Sequence, residues 1–358
     1  MTASDARSEK AHGKVAQTPA ALGFRMPAEW ERHAATWLAW PRNPDTWPTR
    51  YPHVADVWTR LVELLAESEE VHILAGGDEV RRDAERRVGQ LARVTLHDVA
   101  TNDAWIRDHG PTLLRHRSGA PLAAVCWTYN AWGGKYPPFD RDALVSRTVA
   151  ELLDVRRFDA GLVFEGGAVE TNGAGTVITS EDCLLHPKRN PGLSLADAER
   201  RLCDLLAARQ VIWLAGGVAG DDTDGHVDQL TRFVDPRTIV TVVEPDPADV
   251  NHAPLAENLR RLESARDLDG EPFRIVTLPL PRPVVVAGCR LPASYANFYI
   301  ANTVVIVPTF GDPADAHALE TLAALLPDRR VVGFDSVDLV EGLGGVHCIT
   351  QQQPAVEG

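Results

Sequence analysis

The chain has 358 residues, with 50 acidic against 36 basic side chains and a net charge of −14. That balance, with no basic stripe, argues against a nucleic-acid partner, and no apolar run approaches the roughly 20 residues needed to cross a membrane. Five scattered cysteines, Cys126, Cys183, Cys203, Cys289 and Cys348, form no C-x-x-C pair, which disfavours a disulfide framework or cysteine-rich zinc site and fits reduced thiols in a cytoplasmic protein.

Residues 1–20 are polar, mixed in charge and without the apolar core of a signal peptide, and read as a disordered leader. No Pro/Ser-rich linker divides the rest of the chain, so residues 21–358 are expected to form one domain. Residues 36–40 read as a strand stopped by Pro41. A helix is expected over about 53–67, where Val54, Val57, Leu61, Leu64 and Leu65 share a face. A strand over 71–75 closed by Gly76-Gly77, a charged helix to Val88 and a strand over 94–97 come next. Residues 123–129 form a strand ending in a Gly- and Pro-rich loop, followed by a helix over 142–154. The stretches 161–165 and 175–179 read as a strand pair around the Asn172-Gly173 turn. Ser194 opens a helix toward Arg209 with a capping-box-like start. Strands are expected at 211–215, 230–234, 239–243, 275–278, 298–300, 303–307 and 331–334, with helices near 248–266 and after Asp312-Pro313. Val71–Gly77 and Val211–Gly217 share the pattern strand, Leu-Ala, Gly-Gly, and further Gly pairs at Gly133, Gly166 and Gly344 suggest a weak internal repeat.

Five stretches are richer in polar residues and glycine than packing requires. Trp105 to Pro111 gathers an aromatic, Asp108 and a Gly-Pro break at a strand end, as a site or a capped turn would. Phe164-Glu165-Gly166-Gly167 ends an apolar strand on a carboxylate, which needs a partner if buried and none if it faces water. In Gly220 to Asp228, His226 and Asp228 point the same way if the segment is extended. Asp221, Asp222 and Asp224 beside them suit a divalent-metal loop or a solvated acidic loop, without EF-hand spacing. Tyr129 to Tyr136, with Trp132 and two glycines, suits a cover for a planar ligand or an ordinary surface loop. The tail, Leu343 to Gln352, places Cys348 just beyond a Gly pair, at a pocket wall or in the core. Together these stretches offer a thiol nucleophile, a general acid/base and paired carboxylates. Two nearby carboxylates favour a planar cation such as guanidinium, whereas an amide hydrolase would want an oxyanion hole instead.

On these motifs, with Phe24-Arg25-Met26-Pro27-Ala28-Glu29-Trp30 and the run from Asn102 to Pro111, the chain resembles the agmatine deiminase and bacterial-type peptidylarginine deiminase family. That family belongs to the guanidine-modifying, or pentein, superfamily. The resemblance implies an α/β fold, a five-bladed α/β propeller with pseudo-fivefold symmetry. It implies hydrolytic deimination of a small cationic guanidino compound, foremost agmatine to N-carbamoylputrescine and ammonia. Cys348 would attack the guanidinium carbon to give an S-alkylthiouronium, Asp108 and Asp228 would grip the nitrogens, His226 would move protons and Glu165 would orient His226. Trp105 is expected along the substrate's alkyl stem, Asp222 at its far amine, and Trp132 and Gly344 at the site wall. His347 is expected to be a packing neighbour only. The resemblance implies no metal or organic cofactor, and a monomer and a homo-oligomer are both compatible with it. Two departures from the family pattern stand out: Leu343 and Gly345 replace a Gly and an Asn in the usual Gly-Gly-Gly-Asn-Ile-His-Cys, and Asp222 stands where many relatives carry Glu. Alternatives left open are a deiminase for free or peptidyl arginine or a guanidino acid, an amidinotransferase, and a guanidine-binding protein.

Overall fold

The computed structural model describes residues 17–356. The expected leader lies outside the described residues over 1–16, and its last residues lead into a short turn at Ala20–Leu22. Among the described residues, the strands form five sheets of three or four strands and one two-stranded hairpin, Val285–Val286 with Cys289–Arg290.

One local plan recurs five times. A first strand pairs antiparallel with a second, a helix crosses over, and a third strand returns parallel to the second. The units are built on Thr112–His116, Leu122–Thr128 and Arg156–Val163; Glu170–Thr171, Thr176–Ser180 and Gln210–Leu214; Thr231–Asp235, Thr238–Val243 and Arg274–Pro279; and Tyr299–Ile300, Val304–Thr309 and Arg330–Asp335. The remaining unit joins the two ends of the chain: the C-terminal strand Gln351–Pro354 lies antiparallel to His33–Ala39, which pairs parallel with Glu70–Leu74. Parallel pairing requires a crossover connection, and the helices Tyr51–Ala66, Asp142–Leu152, Leu195–Leu206, His252–Ser264 and Ala314–Leu325 supply it.

These helices form where apolar residues recur at helical spacing. Tyr51–Ala66 buries Val54, Val57, Trp58, Leu61, Val62 and Leu65 on one face, each contributing about 1.5–3 kcal/mol of transfer free energy. Ser194 caps Leu195–Leu206 by accepting the Asp197 N–H at 3.1 Å, as expected. Among the described residues, no helix is long and apolar enough to cross a membrane.

Two expectations are corrected. Residues 161–165 do not pair with 175–179. The strand Arg156–Val163 runs parallel to Leu122–Thr128, and the short strand Glu170–Thr171 takes the place beside Thr176–Ser180. The segment with His226 and Asp228 is not extended, because Val227–Gln229 forms a 3-10 turn. The Gly pairs mark three different positions: Gly76-Gly77 and Gly216-Gly217 follow third strands, Gly166-Gly167 and Gly344-Gly345 precede first strands, and Gly133-Gly134 follows a second strand.

Candidate active site

Each unit brings one irregular segment to a common centre, the one just before its first strand. These are the turn Ile106–His109, Glu165 with the turn Gly166–Ala168, His226 with the turn Val227–Gln229, residues 294–297, and the turn holding His347 and Cys348. Tight turns leave side chains free to converge, and backbone bonds hold the turns together. The Arg107 N–H donates to the Cys348 carbonyl at 3.2 Å, and the His347 N–H to that of Asn297 at 3.2 Å. Gly167 is glycine because space demands it. A Cβ there would lie 2.6 Å from His226 Nδ1, 2.8 Å from Asp108 Oδ1 and 3.0 Å from Asp228 Oδ2. Its N–H instead donates to Asp108 Oδ1 at 3.0 Å.

Cys348, His226, Asp108, Asp228 and Glu165 are all buried. The Cys348 thiol lies 3.5 Å from Asp228 Oδ2. His226 Nδ1 is 3.7 Å from Asp108 Oδ1, and its Nε2 is 3.5 Å from Glu165 Oε2. Burial pushes the Asp108 carboxyl up to about 6, helped by the anions Asp228 and Glu165 and opposed by His226 and a hydrogen bond from Trp132. Burial works against charge on His226, but Asp108 and Glu165 outweigh it and hold the imidazole well above its ordinary range, as imidazolium. Burial also opposes ionisation of Glu165, yet Arg189 and His226 bring its carboxyl below the usual range. For Asp228 burial is likewise overcome, here mainly by the hydrogen bond and charge of His347. Burial, Asp228 and Asp108 all raise the Cys348 thiol well above a free cysteine. The sulfur is therefore a neutral thiol beside carboxylates, an environment that suits a planar cation.

A cavity of about 800 Å³ opens above this centre, lined by Trp105, Asp108, Trp132, Asp222, Gly344 and Cys348 among others. His226, Asp228 and Glu165 stand behind its floor. Trp132 covers Asp108, its Nε1–H donating to Oδ2 at 3.0 Å. Gly344 lies flat on Trp105, whose ring would be 2.3 Å from a Cβ at that position. Asp222 reaches the cavity, but its carboxylate accepts the Tyr136 hydroxyl and lies 3.3 Å from Lys135 Nζ. The acidic run around it is half-buried, and its carboxylates are taken up by partners within the protein rather than arranged as a metal loop. Asp221 accepts the Thr223 and Gly225 N–H groups, and Asp224 takes Arg189 and Lys135. Glu165, Cys183 and His226 offer ligand atoms within 4.8 Å of one another, as a metal site would. Arg189 Nε at 2.9 Å from Glu165 opposes a further dication there.

Four contributors were not evident from sequence. His347 is more than a packing neighbour: its Nδ1 lies 2.8 Å from Asp228 Oδ2 and its Nε2 2.9 Å from Glu29 Oε2. Arg189 is fully buried and ties Glu165 to Asp224 and to the Thr223 carbonyl. Asn297 and Gln229 reach the sulfur itself, with Nδ2 at 3.2 Å and Nε2 at 3.9 Å. The only signal for Asn297 is position, a polar side chain between Ala296 and Phe298 just before a first strand.

A buried thiol set among two carboxylates and an imidazole, at the foot of an acidic cavity, defines a site for a planar cation. Comparison with known proteins agrees. The profile of Porphyromonas-type peptidyl-arginine deiminases matches residues 25–354, and the chain belongs to that family. The agmatine deiminase of Pseudomonas aeruginosa is 37% identical over 361 residues, spanning 94% of this chain and 97% of its own. The solved structure of the Enterococcus faecalis agmatine deiminase superposes with a TM-score of 0.88 at 33% identity, over 96% of this chain and 99% of that one. A substrate-bound agmatine deiminase of C. jejuni gives 0.84 at 28% identity, over 94% and 97%.

Proposed function

We propose that this chain is a hydrolase that converts agmatine to N-carbamoylputrescine and ammonia. The observation that carries the reading is the convergence of four side chains from three distant segments: Cys348 and Asp108 line the cavity, with Asp228 against the sulfur and His226 against Asp108 just behind its floor. Asp108 and Asp228 accept the guanidinium N–H groups and fix the carbon before the sulfur. The cation enters between two anions and displaces the thiol proton to solvent, so Cys348 attacks as thiolate. His226 donates its proton to the departing ammonia, leaving an S-alkylthiouronium. Neutral His226 then takes a proton from the water that attacks the same carbon. The C–S bond breaks, and the ureido product leaves. Glu165, held ionised by Arg189, keeps His226 oriented and charged. The sulfur and the substrate's own cation supply nucleophile and electrophile, so the reaction needs no metal or organic cofactor. The same reading takes residues 21–358 as one domain with its five units ringing a pseudo-fivefold axis, in a cytoplasmic enzyme.

The cavity walls favour a substrate cationic at both ends: six acidic side chains (Asp45, Asp103, Asp108, Asp142, Asp222 and Glu341) line them against Arg42 and Lys135, and the acidic excess stands even though burial raises Asp103 and pushes Asp142 up to about 7. An α-carboxylate or guanidino acid would meet repulsion there. The test is ammonia release over agmatine, arginine, guanidinobutyrate and a peptidyl arginine. Turnover of arginine with none of agmatine would overturn the substrate assignment, and amidino transfer without ammonia would overturn the reaction. Asp222→Asn is expected to raise KM for agmatine a few-fold with little change in kcat, the modest size reflecting the charge already shared with Lys135. An unchanged KM would remove Asp222 from the substrate's path.

Trp132→Phe tests the clamp. Losing the indole N–H leaves Asp108 harder to ionise, so its carboxyl, already at about 6, moves further up. Since Asp108 must be ionised to hold the guanidinium, the acidic limb of kcat/KM is expected to shift to higher pH, by about one unit for one hydrogen bond to a charged group. A limb that stays in place would separate Trp132 from Asp108.

A further inference from the structure

Beyond the groups that grip the guanidinium and move protons, the sulfur has amide neighbours that none of those steps uses. Asn297 is buried, and both ends of its side chain are engaged. Its Oδ1 accepts the His347 N–H at 3.0 Å, which fixes Nδ2 toward Cys348 Sγ at 3.2 Å and the Asp228 carbonyl at 3.3 Å. Gln229 Nε2 stands further off, 3.9 Å from the same sulfur, while its carbonyl Oε1 is buried with no hydrogen-bond partner among the described residues. Gly345 leaves the room Asn297 occupies, since a Cβ there would lie 2.4 Å from Asn297 Oδ1. Apart from these amides and the backbone N–H of Gly345, the groups facing the sulfur disfavour negative charge. Asp228 lies 3.5 Å away, and the Asp108 charge adds to its repulsion. The nearby imidazoles are turned to the carboxylates: His347 is bonded to Asp228 and Glu29, and His226 lies against Asp108 and Glu165.

We propose that Asn297 is a catalytic residue, an amide donor that stabilises negative charge on Cys348 sulfur both as the thiol ionises and as sulfur departs from the carbon, with Gln229 as its weaker second. This rests on the deiminase reading for its kinetic consequence, but not for its chemical one. A fixed neutral donor does what a cation here could not: it supports the thiolate without competing with the substrate for Asp108 and Asp228. The two demands on the site, anions for the guanidinium and a donor for the sulfur, are thereby met by different side chains.

The experiment measures the pH dependence of Cys348 alkylation by iodoacetamide in the substrate-free protein, read by mass spectrometry on the peptide carrying Cys348, alongside kcat and KM for agmatine. Asn297→Ala is expected to move the alkylation profile to higher pH and to lower kcat about 10- to 100-fold, the effect of one hydrogen bond to a charged atom, with KM nearly unchanged. Asn297→Asp, equal in shape but adding a third anion, is expected to shift the profile further in the same direction. Circular dichroism and Tm identify a misfolded variant, and either substitution suffices for the test. An alkylation profile superimposable on the parent's in a folded variant overturns the proposal. Because alkylation needs no substrate, that result is distinguishable from failure of the deiminase reading, which would appear as an unmoved substrate screen in the parent protein.

Discussion

Cys348→Ala is expected to release no measurable ammonia from agmatine, a loss of roughly 10⁴-fold or more, the scale seen when a covalent nucleophile is deleted. No other thiol can deputise. Cys183 lies behind the cavity floor, 3.6 Å from Glu165 and outside the cavity lining, and Cys126 and Cys203 belong to or pack against apolar clusters away from the centre. Cys289 does line the cavity, but from the hairpin at its mouth, not beside the paired carboxylates. Binding should survive the substitution, because Asp108 and Asp228 remain to hold the guanidinium. Calorimetric titration of Cys348→Ala with agmatine is therefore expected to give an affinity within a few-fold of the parent's KM. Turnover persisting in this variant would sink the covalent route, and lost binding would mean that the thiol, not the carboxylates, holds the substrate.

The site was legible in the sequence where its residues are chemically conspicuous. A carboxylate followed by two glycines, a His two residues before an Asp, and a Cys beyond a Gly pair are poor choices for packing, and the structure brings all of them to one centre. Asn297 carries no such mark. A neutral amide in Ala296-Asn297-Phe298 reads as the start of a strand, and only the placement of every other central residue just ahead of a first strand singles it out. Arg189, in a polar loop, gives no sign from sequence that it is fully buried against two carboxylates. His347 was misread because its neighbours are apolar along the chain, while its partners Glu29 and Asp228 are 318 and 119 residues away. The strand pairing at 161–179 failed for a different reason. Glu170–Thr171 is two residues long, too short for any period to register, and parallel partners are chosen by the sheet rather than by the adjacent turn. His226 and Asp228 converge as expected, through a 3-10 turn rather than an alternating strand.

Arg189→Met is expected to cost about 3–5 kcal/mol of stability at neutral pH, because it leaves two carboxylates without the guanidinium they share, one of them fully buried. The sign with pH follows from Glu165. In the parent its carboxyl is held below the usual range, so its stabilising contribution is present above the unfolded pKa and lost as pH falls through the folded one. In the variant, burial without Arg189 pushes that carboxyl up, so the group resists folding as an anion and is relieved by acid. The gap in Tm between parent and variant should thus be widest near neutrality and narrow as pH falls through the carboxylate range. The same loss reaches the chemistry. Once Glu165 takes up a proton, His226 loses one of the anions that hold it as imidazolium, and the basic limb of kcat/KM should move to lower pH. Thermal unfolding between pH 4 and 8, and a pH–rate profile at a temperature where both proteins are folded, measure the two effects separately. A variant as stable as the parent at pH 7, with its basic limb in place, would show that Glu165 finds its counter-charge elsewhere and that Arg189 does not couple the fold to the proton carrier.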